Sequence, residues 1–319
     1  MRLPALLAVL APLVTLAGCV DDPTLGGTTE YVIGGTVTPE GDYPAVGALV
    51  YSFGAQSLAG CTGTLIAPTV VLTAAHCLDP AVTQGLMPTA FTFKHDTTGS
   101  TTPSIPIASS VKHEDFDINA GADASLFAFH DVGVVFLAQP VTDVEPMKMP
   151  TPTEAMGLAI GTDLELVGYG RTSDEDPNST GVMFDARTKV IDLIDSEMRV
   201  SMGTPDPQNC HGDSGGPALA TLGGGQRVVG IVSRSFESNA CDNGGVDTRV
   251  DAYLTWIHGK VATGIPCGSG LSPACDDGEA DDDSGCCSTG GAGSGSLLAG
   301  FAVAALLARR RRGDRATAR

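Results

Sequence analysis

Positive charge is scarce in this chain. Its 319 residues hold 18 Lys and Arg against 37 Asp and Glu, a formal net charge of −19. A nucleic-acid binder needs a basic face, so this balance argues against a nucleic-acid partner. It fits an acidic, soluble ectodomain whose charge serves solubility. Aromatic content is also low, at 5%. No internal repeat of fixed period is visible, which removes solenoids and other arrays. Nine cysteines are present, but none lies between Cys77 and Cys210 and no Cys-x-x-Cys spacing occurs. That counts against a metal site. The length is ample for a full core with tails.

What is present is concentrated in Cys210-His211-Gly212-Asp213-Ser214-Gly215-Gly216-Pro217. Glycines on both sides of a serine let the backbone approach a substrate closely. The amides of Gly212 and Ser214 could then converge on the oxygen of a tetrahedral acyl intermediate, with Ser214 as nucleophile. A serine needs a base to take its proton. His76, ending Leu72-Thr73-Ala74-Ala75-His76-Cys77, suits that task because its ordinary pKa is about 6.5. The base in turn needs a carboxylate to fix its tautomer. Asp131 opens the apolar run Val132-Gly133-Val134-Val135-Phe136-Leu137, which reads as a buried strand and would shield the acid from water. Asp123, before Ala124-Ser125-Leu126, is its rival.

Short apolar runs such as Val46 to Tyr51, Leu164 to Tyr169 and Arg227 to Ser233 alternate with Gly, Pro, Thr and Asp turns. This is a many-stranded all-β pattern.

The motifs resemble the trypsin/chymotrypsin-type serine proteases. Val32-Ile33-Gly34-Gly35 is similar to that family's mature N-terminus, and Cys61-Thr62-Gly63-Thr64-Leu65-Ile66 to its first barrel strand. Val167-Gly168-Tyr169-Gly170 resembles its Gly-Trp-Gly turn, with tyrosine for tryptophan. Ala252-Tyr253-Leu254-Thr255-Trp256-Ile257 resembles its closing helix. The order His, Asp, Ser is also the family's. The resemblance implies an all-β fold of two six-stranded antiparallel barrels with a C-terminal helix. His76 and Asp131 would come from the first barrel and Ser214 from the second, with no cofactor and a protein or peptide substrate.

It also implies disulfides Cys61–Cys77 and Cys210–Cys241, and favours Asp131 over Asp123, because the strand and the following Pro140-Val141 match. Lys112-His113-Glu114-Asp115-Phe116-Asp117 resembles the loop before the acid, which makes His113 structural. The pocket positions by resemblance are Gln208, Ser233, Arg234, Ser235 and Gly245. Gln208 stands at the base, where an uncharged amide predicts weak preference for Arg or Lys. Ser233 would support the triad acid. Arg234 replaces the usual tryptophan and could attract acidic residues or face solvent. Asp213 would pair with the Val32 ammonium once an activating protease cuts after Tyr31, where the family often has Arg or Lys. A non-enzymatic binding module on the same scaffold is the rival reading, given Gln208, Arg234 and Asp247.

The ends differ from the middle. Residues 1–18 read as a signal peptide, and Leu16-Ala17-Gly18-Cys19 resembles a lipoprotein box with Cys19 as the lipidation site. Residues 19–31 form a propeptide, 32–262 the protease domain and 263–289 an acidic Gly/Ser/Cys linker with too little apolar surface to order itself. Cys267 and Cys275 could bridge within it. Residues 290–308 are long enough for one transmembrane helix, and Arg309 to Arg312 open a basic cytoplasmic tail, 309–319. With Cys286 and Cys287 ahead of it, this end resembles the myxobacterial carboxy-terminal sorting tail. The expectation is export to the envelope or surface of a bacterium through export and sorting machinery, with membrane attachment by lipid and helix or release after tail processing.

Overall fold

A computed structural model describes residues 33–264, apart from 55, 123–124, 174–175, 177–178 and 238–239. The expected signal peptide, Cys19, Val32, the acidic linker, the transmembrane helix and the basic tail all lie outside the described residues. Among the described residues no helix is long and apolar enough to cross a membrane.

After a short β1 (Thr36–Val37), six strands follow: β2 (Val46–Phe53), β3 (Gln56–Ala67), β4 (Val70–Thr73), β5 (Pro88–Thr92), β6 (Ile105–Lys112) and β7 (Gly133–Leu137). They close into an antiparallel barrel in the order β2-β3-β4-β7-β6-β5. The apolar run that opens β2 and the whole of β7 are buried, as continuous rather than alternating apolar strands should be.

The second barrel holds β8 (Asp163–Gly168), β9 (Phe184–Leu193), β10 (Glu197–Val200), β11 (Pro217–Leu222), β12 (Gly225–Ser235) and β13 (Gly245–Arg249). Their order is β9-β10-β13-β12-β11-β8, and antiparallel pairing of β8 with β9 closes the ring. β1 adds to β9 through Thr36 opposite Asp185 and Val37 opposite Phe184, so the N-terminal segment is tied to the second barrel before the chain builds the first.

One continuous core joins the halves. It includes Leu49, Phe91 and Val135 from the first barrel and Leu219 and Ile231 from the second. The closing helix, Leu254–Gly264, adds Ile257 and Val261 to it. A separate apolar cluster around Leu164, Leu166, Met198 and Val229 fills the second barrel. The disulfides Cys61–Cys77 and Cys210–Cys241 are both formed. The bridges close loops of 16 and 31 residues.

Candidate active site

His76 begins a single 3-10 turn, His76–Leu78, directly after β4. Asp131 lies just before β7, which pairs with β4 through Thr73 opposite Gly133. This pairing brings a histidine and an acid 55 residues apart into contact. Asp131 Oδ2 accepts from His76 Nδ1 at 2.7 Å, and Oδ1 accepts from the His76 backbone amide at 2.8 Å. Ser233, on β12 of the other barrel, donates its hydroxyl to the same Oδ2 at 2.6 Å. The Asp131 side chain is fully buried, and that of His76 is 14% exposed.

These contacts decide the charges. Burial pushes the His76 ring towards neutrality, but the Asp131 charge and hydrogen bond outweigh it and raise the pKa above 6.5. Burial pushes Asp131 upward; the His76 charge and the donors from His76 and Ser233 outweigh that and hold it below 3.8. Asp123, the rival acid, lies outside the described residues.

Ser214 reaches the same place from the second barrel. The Thr62 amide on β3 donates to its carbonyl oxygen at 2.8 Å. Cys77 Sγ, one residue past His76, lies 3.6 Å from that oxygen. Among the described residues no hydrogen bond joins Ser214 Oγ to His76; catalytic hydrogen bonds often tighten only when substrate binds. Neighbouring amides in the loop are engaged: Cys210 donates to Asp213, Asp213 to Cys210, Gly215 to Val232 and Gly216 to Asp213. The amides of Gly212 and Ser214 donate to nothing among the described residues. Two uncommitted donors flanking Asp213 are what an oxyanion site requires. Gly212 has φ +103, and a Cβ there would sit 2.8 Å from Gly170 Cα, so only glycine fits without strain.

Asp213 is 2% exposed. Its carboxylate accepts from the amides of Gly170 and Cys210, each at 2.8 Å. Burial nevertheless pushes its pKa up to about 6. A Cβ on Gly168 or Gly170 would meet this carboxylate at 2.1 or 2.4 Å, which accounts for the glycines around Tyr169.

The pocket positions behave differently from one another. Gln208 is fully buried. Its Oε1 accepts from the Gly244 amide at 2.5 Å and its Nε2 donates to Thr204 Oγ1 at 3.3 Å, so both ends of the amide are engaged. Gly245 leaves room for Asn209, whose Oδ1 would lie 2.0 Å from a Cβ there. Ser235 is opposite Gly245 where β12 meets β13. The Arg234 guanidinium does not face solvent freely. It forms a two-pronged pair with Glu197 at 2.6 and 2.9 Å and covers the rings of Phe127 and Phe129.

Three features carried little signal in the sequence. Glu197 is 1% exposed on β10 and also accepts from the Phe127 amide at 3.0 Å. Thr62 donates its hydroxyl to the Gly212 carbonyl at 2.9 Å and so braces the loop. Asp247, fully buried on β13, accepts from Asn209 Nδ2 at 2.9 Å through Oδ1, while its Oδ2 has no partner among the described residues. Burial pushes Asp247 up to about 8, against the Asn209 hydrogen bond, with the charges of Asp213 and Glu197 adding to the rise. An acid set between apolar or small neighbours, Ser196 and Met198 around Glu197 and Val246 and Thr248 around Asp247, was the available signal. Cys61, His76 and Cys77 place potential ligand atoms within 4.8 Å of one another. Both sulfurs belong to the disulfide and offer no thiolate.

Comparison with known proteins places this geometry in context. Residues 32–257 match the family Trypsin. Chymotrypsin-like elastase family member 1 of Canis lupus familiaris is 28% identical over 251 residues, covering 74% of this chain and 94% of that protein. Phenoloxidase-activating factor 3 of Holotrichia diomphalia is 28% identical over 270 residues, covering 72% of each. CLIP domain-containing serine protease B15 of Anopheles gambiae is 27% identical over 278 residues, covering 77% of this chain and 74% of that protein. The double barrel and a match over most of the sequence lead to one assignment: the chain belongs to the trypsin family and is a trypsin-like serine endopeptidase.

Proposed function

We propose that the chain is an exported, surface-associated endopeptidase that works through Ser214, His76 and Asp131. The bonding of His76 Nδ1 to a buried, ionised Asp131 carries this reading. With Nδ1–H committed to the acid, Nε2 is the basic nitrogen. It takes the Ser214 proton as the oxygen attacks the peptide carbonyl. The Gly212 and Ser214 amides hold the oxyanion, His76 gives the proton to the leaving amine, and water then releases the acyl group.

Activation supplies the missing charge beside Asp213. Cleavage after Tyr31 would free the Val32 ammonium to pair with it. The amine's pKa then rises above its ordinary value of about 7.7–8.0. The pair is complete below that value and is lost as pH rises through the raised one. Meanwhile His76 becomes a base only as pH rises through its own raised pKa. Activity is therefore a bell in pH, with its acid limb above 6.5.

The pocket offers no unpaired fixed charge to a substrate side chain at neutral pH, because Arg234 is bound to Glu197. Gln208 is uncharged and internally bonded, and Asp247 stays largely protonated below about 8. Weak preference for Arg or Lys follows. Residues 1–18 would direct export, Cys19 would carry lipid, and 290–308 would span the membrane until the tail is processed. The test is hydrolysis of fluorogenic casein by the native protein and by Ser214→Ala, with N-terminal sequencing of the active form. Cleavage by native protein beginning at Val32, and none by the variant, is the expected result. Equal activity of the two would refute the mechanism.

A further inference from the structure

One cavity lies beside the proposed oxyanion site and away from the pocket positions. It has a volume of about 240 Å³ and is bounded by Cys61, Tyr169, Arg171, His211 and Gly212 among others. Gly212 places it against the reacting carbonyl. Cys61, bridged to Cys77, places it on the side of His76, which protonates the departing amine. This cavity would therefore receive the leaving half.

Its chemistry is set by Arg171. The Arg171 amide donates to the His211 carbonyl at 2.7 Å, which fixes the backbone between the Tyr169 turn and the serine loop. The guanidinium itself has no hydrogen bond or ion pair among the described residues. That sets it apart from Arg227, Arg234 and Arg249, each bound to a carboxylate. A half-buried arginine in a concave site presents a planar fork of donors suited to a carboxylate.

We propose that this cavity selects substrates with an acidic side chain, Asp or Glu, within the first residues on the leaving side of the cleaved bond. The inference rests on the endopeptidase mechanism above and adds a specificity to it. An ionic contact of this kind favours the acidic substrate by about three- to tenfold in kcat/KM.

The test uses the processed native protein and two quenched fluorescent peptides. They are C-terminally amidated and identical except for Glu or Gln at the first or second leaving-side position. A third, neutral peptide with a free C-terminal carboxylate separates side-chain recognition from recognition of a chain end. A chromogenic anilide without leaving-side residues reports the hydrolytic centre alone. Glu favoured over Gln, with that ratio falling towards one in Arg171→Gln and in high salt, supports the proposal. Anilide hydrolysis with equal rates for both peptides overturns it and leaves the mechanism standing. A gain only for the free carboxylate also overturns it. Failure on all substrates, the anilide included, removes the mechanism and this inference together.

Discussion

The two barrels treat their buried aspartates in opposite ways. On the first barrel, Asp131 is surrounded by donors: the His76 ring, the His76 amide and the Ser233 hydroxyl. Its pKa is lowered despite complete burial. On the second barrel, Asp213 has two amides and Asp247 a single side-chain amide. Both are raised, to about 6 and about 8. Burial is similar at all three positions, so the count and charge of the donors decide which acid stays ionised. The base-holding half is complete within the chain as it stands. In the nucleophile-holding half Asp213 is held by two neutral amides and by no cation among the described residues, and the proposed role of the Val32 ammonium follows from that difference.

The comparison is broken most severely by removing charge where it is satisfied. Asp131→Asn keeps the shape but supplies the wrong hydrogen-bonding partner to His76. It should cut kcat by about ten-thousand-fold with little loss of folding; peptide hydrolysis and a thermal melt check this. Glu197→Ala would strand the Arg234 guanidinium, which is 15% exposed. A loss of about 3–5 kcal/mol in urea unfolding is expected. Replacing both Glu197 and Arg234 with apolar residues should recover much of it.

Smaller effects sharpen the contrast. Ser233→Ala takes one donor from Asp131 and should lower kcat/KM by about tenfold. Asp247→Asn tests the opposite case. Its folded pKa of about 8 exceeds the ordinary 3.8, so the folded state retains a proton that the unfolded chain releases. Stability falls as pH rises from near 4 towards 8. The variant, which has no proton to lose, should melt about 2–4 °C above the native protein at pH 8, with no gain below pH 4. A lower melting temperature at pH 8 would show that the Asp247 charge has a partner.

The all-β pattern was legible in the alternation of apolar runs and turns and the double barrel through the resemblance, while the histidine and serine segments stood out because their informative residues are contiguous. Ala74-Ala75-His76-Cys77 and Gly212-Asp213-Ser214-Gly215-Gly216 each carry their chemistry within a few positions. Both disulfides were legible by resemblance and are formed. What could not be read were partnerships between distant strands. Gln208 gave no sign that the Gly244 amide would occupy it. Arg234 gave no sign of Glu197, 37 residues earlier. The orphaned oxygen of Asp247 depends on the register of β12 against β13 and on where Asn209 turns. Such facts arise from packing and leave no local pattern in the chain.

The most direct measurement is the intact mass and peptide map of the processed protein, beginning at Val32, after exposure to a fluorophosphonate. One adduct on Ser214, abolished in His76→Ala, is the predicted result. Correctly processed protein that stays unlabelled, or that carries the adduct on another residue, would contradict the account.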